Sequence, residues 1–159
     1  MAKKFDYEVA DNRVVFQQKG LNNFEQSGFS TYARVIVETT IGNAGDYEKL
    51  TTSFTATPAE LNALSAEFKK KIQQGFQGTN LKLISWYGIA ITKVNGRTAL
   101  KISYLRQLAD RPFVVVNTYR FQNNDRMHSI ITSYRQEDEA TWKPLLNKTV
   151  NSFTITDVR

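Results

Sequence analysis

Apolar and polar side chains alternate on both sides of Asn95-Gly96, across residues 81–108. Alternation with a period of two is typical of β-strands, and Asn-Gly between two such runs is the strongest short signal for a β-hairpin. The sequence therefore predicts a long antiparallel hairpin over these residues. A two-residue turn pairs Val94 with Arg97, Ile91 with Leu100, Ile89 with Ile102 and Tyr87 with Tyr104.

A second hairpin is predicted over residues 113–121 and 126–135, and its register depends on the length of the turn between them. A turn at residues 123–124, or a loop at 122–125, sets Tyr119 opposite His128. A turn at 124–125 sets Phe121 opposite His128. In each case one face holds Phe113, Val115, Tyr119, Phe121, His128, Ile130 and Tyr134, and the other holds Arg120, Ser129, Ser133 and Arg135. A three-residue loop with a bulge reverses this and sets Arg120 opposite His128.

A helix is predicted to begin after Thr57, because Thr57, Pro58 and Glu60 together form a capping box with proline at the first helical position. Apolar residues follow it at helical spacing. They are Leu61, Leu64, Phe68 and Ile72. Gly75 or Gly78 is suited to end this helix.

The last part of the chain predicts another amphipathic helix. Its apolar positions are Trp142, Leu145, Leu146, Thr149, Val150 and Phe153. Because proline is tolerated only in the first turn of a helix, Pro144 places the start at residues 140–143. The acidic residues 137–139 precede that start, where negative charge is favourable.

The N-terminal part predicts strands at residues 13–18 and 30–40, with turn-forming residues at 18–28 and a loop at 41–49. The order of elements is strands, helix, antiparallel strands and helix. The expected fold is a single α+β domain over residues 1–159, with an antiparallel sheet of five or more strands and two long amphipathic helices.

From about Thr57 to Ile155 the chain resembles the PsbP-like superfamily, the fold of the photosystem II extrinsic subunit P. The resemblance rests on the capped helix TPAELNALSAEFKKKI, the hairpin GIAITKVNGRTALKISYL, the strands FVVVNTYRFQNNDRMHSIITSY and the closing WKPLLNKTVNSFTI. It implies an α/β/α sandwich and a non-enzymatic accessory or binding domain, often at a membrane surface or outside the cytoplasm. No residue-level functional signature accompanies the resemblance, and shared fold does not determine function.

The charge and the missing residue types limit the chemistry that is possible. The 21 Lys and Arg residues exceed the 15 Asp and Glu, a net charge of +6, which favours anionic partners. There is no cysteine, so disulfides and thiolate metal sites are excluded. We expect neither a signal peptide nor a transmembrane segment. The compartment stays open, and it is extracytoplasmic if an N-terminal signal has been removed.

The sequence contains no arrangement that predicts catalysis, a metal site or a cofactor. His128 is the only histidine, and neither a nucleophile elbow nor a phosphate-binding glycine loop is present. We therefore predict a non-enzymatic accessory or binding module whose partner is a protein, lipid or polymer surface. One alternative is a small-ligand-binding protein or enzyme with a pocket near His128. The other is a weak binder of an anionic polymer or nucleic acid.

The candidate surface patch consists of Arg120, Arg135, Ser129 and Ser133, which share the more polar face of the second hairpin. His128 is expected at the edge of the core on the opposite face. The adjacent tyrosine–arginine pairs superficially suggest nucleic-acid binding, but neighbouring residues of a strand point to opposite faces. Nucleic acid is therefore disfavoured as the partner.

Overall fold

The computed structural model describes residues 5–19, 30–48 and 56–159, with side chains described from residue 11 onward. Within these ranges the chain forms a seven-stranded antiparallel sheet and two α-helices. The strands are β1 (Phe5–Ala10), β2 (Arg13–Gln18), β3 (Ala33–Ile41), β4 (Leu81–Val94), β5 (Arg97–Leu108), β6 (Val114–Asn123) and β7 (Arg126–Arg135). The helices are α1 (Pro58–Phe76) and α2 (Glu139–Asn151), and a 3₁₀ turn at Gln136–Asp138 precedes α2.

The strand order is β1-β2-β3-β7-β6-β5-β4, so β1 and β4 form the two edges of the sheet. The α+β class and the antiparallel sheet predicted from the sequence are confirmed. Strand β1 was not predicted. Residues 20–28 of the predicted turn-forming segment lie outside the described residues.

The turn between β6 and β7 contains two residues, Asn124 and Asp125. Asn123 pairs with Arg126, and the register continues so that Phe121 faces His128. This is the second of the registers considered from the sequence. Asn124 adopts a positive φ of 61°, which asparagine tolerates better than most residues in a tight hairpin turn.

The first hairpin follows the predicted register near its turn and departs from it further away. Val94 pairs with Arg97, as predicted, but Tyr104 pairs with Trp86 rather than with Tyr87. The predicted Tyr87–Tyr104 pair is therefore wrong. A bulge between Trp86 and Gly88 is the cause, and Gly88 adopts a φ of +99° that favours glycine.

Helix α1 begins as the sequence predicts. The Thr57 hydroxyl oxygen accepts a hydrogen bond from the Glu60 backbone N–H, and the Glu60 carboxylate accepts one from the Thr57 backbone N–H. The helix contacts β4, and Trp86 Nε1 donates a hydrogen bond to the Ser65 hydroxyl at 2.9 Å. No residue of α1 is fully buried, so the prediction of two long amphipathic helices is not confirmed in that detail.

Helix α2 begins at Glu139, one residue before the predicted range, so Pro144 lies in its second turn. The 3₁₀ turn leads into the helix and moves its start towards the N-terminus. Three of its predicted apolar residues are buried, namely Trp142, Leu146 and Val150, whereas Leu145 is exposed.

The two helices lie on opposite faces of the sheet. Phe68 of α1 contacts Arg120 of β6, whereas the buried residues of α2 belong to the same core cluster as Phe121, the next residue of β6. Adjacent residues of a strand point to opposite faces. The main core therefore lies between the sheet and α2. It contains Ala33, Val35, Val94, Ala99, Leu105, Val115, Tyr119, Phe121, Ile130, Tyr134, Trp142, Leu146, Val150 and Ile155.

Candidate functional site

A polar cavity of about 360 Å³ lies between α2 and the sheet. Its floor comes from strands β4 to β7 and one wall comes from α2. Small-molecule and side-chain binding sites commonly have volumes of about 300–1,000 Å³, so this cavity is at the lower end of that range. It is lined by Tyr87, Lys101, Ser103, Val115, Asn117, Tyr119, Thr132, Tyr134, Gln136, Glu139, Lys143, Leu146 and Asn147.

Two lysines and one carboxylate give the cavity its charge. The Lys101 Nζ lies 5.7 Å from the centre of the Tyr119 ring, an arrangement that stabilises the ammonium through a cation–π interaction. Lys143 forms an ion pair with Glu139 one turn earlier on α2. Within the described part of the chain, no carboxylate lies within ion-pair distance of Lys101, so its ammonium is the uncompensated charge of the cavity.

Two tyrosines of the cavity, Tyr119 and Tyr134, have a raised pKa. Burial raises the pKa of Tyr134 to about 12, and the charge of Glu139 adds to the effect. Burial also raises the pKa of Tyr119. A neutral phenol donates and accepts hydrogen bonds but is a poor base and nucleophile near neutral pH. These side chains are therefore suited to binding.

One hydrogen bond across the floor orients an amide group towards the cavity. The Ser103 hydroxyl donates to Asn117 Oδ1 at 2.8 Å, because residues 103 and 117 are direct partners of β5 and β6. The carbonyl oxygen of Asn117 is thereby engaged, and its two amide hydrogens are the groups left for a ligand.

The four residues of the predicted patch do share one face of the sheet, opposite to the polar cavity. Ser129 and Ser133 are buried. Arg135 forms an ion pair with Glu137 at 3.3 Å, and it also donates to the Ser30 carbonyl oxygen at 3.1 Å. Arg120 is partly buried beneath α1. That these four residues form a binding patch remains a prediction. Because the two serines are buried, the two arginines are its more accessible residues.

His128 lies on the α2 face of the sheet, as the register predicted, and both of its ring nitrogens have partners. Nδ1 is 2.9 Å from the Thr39 hydroxyl, and Nε2 is 3.3 Å from the Asn123 amide nitrogen. His128 is not among the residues that line the polar cavity. The alternative of a pocket centred on this histidine gains no support from these contacts.

The residues that carry the polar cavity were not identified from the sequence. Tyr119 and Tyr134 were assigned from the sequence to the apolar face of the second hairpin. One signal was available in the sequence. Ala99, Lys101 and Ser103 occupy every second position of β5, so their small and polar side chains share one face. The sequence did not show that α2 packs across these strands.

These features define an α+β protein with one antiparallel sheet between two helices and a polar cavity on one face. No known protein-family model matches the chain, and no curated protein matches it in sequence. Neither helix of the described ranges is long and apolar enough to cross a membrane.

Several solved structures resemble the chain in fold. A Pseudomonas aeruginosa protein of unknown function, described as a putative regulator, has a TM-score of 0.53 at 10% identity, covering 97% of this chain and 99% of that one. The solution structure of cyanobacterial PsbP from Synechocystis has a TM-score of 0.49 at 15% identity, covering 96% and 81% respectively. A PsbP structure is therefore among the solved structures to which the chain is similar.

A Bacteroides thetaiotaomicron protein has a TM-score of 0.46 at 6% identity. The match covers 84% of this chain but 36% of that protein, so the chain spans little more than a third of its length. At these identities the likenesses concern the fold alone, and no function is carried over from them.

Proposed function

We propose that the protein is a non-enzymatic accessory module that binds an acidic side chain of a partner protein in the polar cavity beneath α2. The observation that carries this proposal is the Lys101 ammonium. It is held against the Tyr119 ring, and no carboxylate of the described residues lies within ion-pair distance of it. A carboxylate supplied from outside would form a charge-assisted hydrogen bond with Lys101.

The neighbouring groups support binding rather than turnover. The phenol of Tyr134 is neutral near neutral pH, and burial raises its pKa further, to about 12. Glu139, the carboxylate of the cavity, forms an ion pair with Lys143. The amide hydrogens of Asn117 and the hydroxyls of Tyr119 and Tyr134 are suited to orienting a bound carboxylate by hydrogen bonds.

A macromolecular partner is favoured by the position of the cavity at the edge of the sheet. Tyr87 lies on the edge strand β4 and is 53% exposed, although it also lines the cavity. Half-exposed tyrosine is enriched at protein interfaces because it offers an apolar ring and a polar hydroxyl. The net charge of +6 would steer an acidic partner towards the protein.

The proposal is tested with acetylated hexaglutamate as the probe, titrated into the protein and followed by amide chemical shifts. The expected result is weak saturable binding, with shifts centred on Lys101, Asn117 and Tyr134. Lys101→Gln should weaken that binding. The matched control is Lys93→Gln, an exposed lysine of the same hairpin that is not among the residues lining the cavity.

Raising the salt from about 50 mM to about 300 mM should weaken the binding of the wild-type protein, because salt screens exposed charges. Binding that is unchanged in Lys101→Gln, or equally reduced in Lys93→Gln, would contradict the proposal. The nucleic-acid alternative is separated by the same titration with a single-stranded oligonucleotide, which the present proposal expects to leave the cavity residues unshifted.

A further inference from the structure

A second cavity, of about 310 Å³, lies on the other face of the sheet beneath α1. Its walls are about half apolar and half polar, and they come from both the helix and the strands. It is lined by Glu38, Phe68, Lys71, Ile72, Ile102, Tyr104, Thr118, Arg120 and Ile131. Because residues 102, 118, 120 and 131 point away from α2, this cavity is separate from the polar cavity described above.

Arg120 is the central polar group of this second cavity. Its Cζ lies 5.0 Å from the centre of the Phe68 ring, so one face of the guanidinium is covered by α1. Its Nε is buried and has no hydrogen-bond partner among the described residues. A guanidinium carries five N–H donors, and leaving them unsatisfied in a desolvated site is costly.

No carboxylate of the described residues forms an ion pair with Arg120. Glu38 also lines the cavity, but its carboxylate lies 3.9 Å from the Arg13 Nε on the neighbouring strand. Burial lowers the pKa of Arg120, and the attraction of Glu38 opposes this without offsetting it. Among the described residues, no carboxylate therefore forms an ion pair that would neutralise the charge of this guanidinium.

Lys71 also lines the cavity, and it brings no negative charge to Arg120. Its ammonium pairs with Glu67 one turn earlier on α1 and lies 5.9 Å from the Phe68 ring centre. Phe68 thus has a cation near it on the helix and another on the sheet. The cavity combines a net positive rim with apolar walls formed by Ile72, Ile102 and Ile131.

We propose that the cavity beneath α1 binds an amphipathic carboxylate, with the carboxylate on the Arg120 guanidinium and a short apolar chain between α1 and the sheet. Arginine and a carboxylate form two parallel hydrogen bonds, which a planar fork on a fixed stem is suited to make. The apolar walls require a chain in addition to the charged head. The volume is at the lower limit for small-molecule sites, which favours a chain of modest length.

Octanoate is the probe, with acetate supplying the head alone and 1-octanol supplying the chain alone. Each is titrated into the full chain and followed by amide chemical shifts, below the concentration at which octanoate forms micelles. Octanoate should bind at Phe68, Thr118 and Arg120. Acetate and octanol should each bind at least about tenfold more weakly, because each lacks one of the two interactions.

Three variants separate the site from general effects on the surface. Arg120→Gln should weaken octanoate binding at least about tenfold and bring it to the level of octanol. Arg135→Gln is the matched control on the same face, and its octanoate affinity should equal that of the wild type. Glu38→Gln should strengthen octanoate binding, because it removes the like charge from the cavity. A purely structural role of these residues would not give effects of opposite sign.

Equal affinity for octanoate and octanol in the wild-type protein would overturn the proposal, and so would an octanoate affinity of Arg120→Gln that equals that of the wild type. Absence of octanoate binding to the wild type would also overturn it. The site is on the opposite face from the polar cavity, so failure here leaves the acidic-partner proposal standing, and Lys101→Gln should not change octanoate binding.

Discussion

The Asn123 amide nitrogen lies 3.3 Å from His128 Nε2, and the orientation of that amide is fixed by the end of the chain. Asn123 Nδ2 donates to the Asp157 carbonyl oxygen, and Asn123 Oδ1 accepts from the Arg159 backbone N–H, both at 2.8 Å. Because the amide nitrogen is a donor, His128 Nε2 acts as the acceptor. Nδ1 then carries the proton and donates to the Thr39 hydroxyl. These contacts fit the neutral imidazole.

This arrangement predicts a loss of stability in mild acid. The pKa of His128 is lowered by burial, and the charges of Arg126 and Arg97 add to this while Asp157 opposes it. In the unfolded chain the pKa returns to its ordinary value of 6.5. Below that pH the unfolded state binds more protons than the folded state, so the free energy of unfolding falls as the pH is lowered.

The measurement is urea denaturation between about pH 7.5 and about pH 5.5, the range in which an ordinary histidine changes charge. His128→Gln keeps a polar side chain and removes the titration. Its free energy of unfolding should change less over this range than that of the wild type. Equal pH dependence in the two proteins would show that other groups are responsible.

Asn123 should be important for the stability of the C-terminal segment. It is 1% exposed, and its amide connects the β6–β7 turn to Asp157, Arg159 and His128. Asn123→Ala removes these bonds and should lower the free energy of unfolding by about 1–3 kcal/mol. Amide hydrogen exchange should accelerate at residues 155–159.

Asn147→Ala is the control for that substitution. Asn147 is exposed on α2, where alanine has the higher helix propensity, so the free energy of unfolding should change by less than about 0.5 kcal/mol. A similar loss in both variants would mean that the Asn123 contacts contribute little.

The elements were predictable where one local signal was sufficient. The capping box at Thr57 fixed the start of α1, and Asn95-Gly96 fixed the turn of the first hairpin. The bulge at Gly88 was not predictable, because alternation alone does not show where a strand gains a residue. It shifts the pairing of Tyr104 and leaves Tyr87 at the rim of the polar cavity.

The candidate sites depended on long-range packing and were less predictable. Arg120 was identified from the sequence, but its position beneath Phe68 required the placement of α1 over β6. Lys101 was not identified as a site residue from the sequence, because a lysine in a strand ordinarily faces solvent. Its contact with Tyr119 depends on the β5–β6 register, and residues 101 and 119 are direct partners there.

The start of α2 should depend on one threonine hydroxyl. Thr31 Oγ1 accepts a hydrogen bond from Trp142 Nε1 at 2.7 Å and donates to Asp138 Oδ2 at 2.5 Å. Thr31→Val keeps the shape of the side chain and removes both bonds, so the free energy of unfolding should fall by about 1–3 kcal/mol. Thermal denaturation followed by tryptophan fluorescence is the measurement. Thr92→Val on β4 is the control, and a comparable loss there would argue against a special role for Thr31.

Arg120→Met should stabilise the protein in the absence of any ligand. The guanidinium is partly buried, and within the described ranges its Nε has no hydrogen-bond partner and no carboxylate pairs with it. Replacing such a charge with the unbranched apolar side chain of methionine removes the desolvation cost, although it also removes the guanidinium contact with Phe68. The free energy of unfolding in urea should therefore rise by about 1 kcal/mol.

Arg135→Met is the control and should not stabilise the protein, because Arg135 is paired with Glu137. A loss of stability in Arg120→Met would mean that the guanidinium is already satisfied within the protein, and the argument for an external carboxylate would lose its basis.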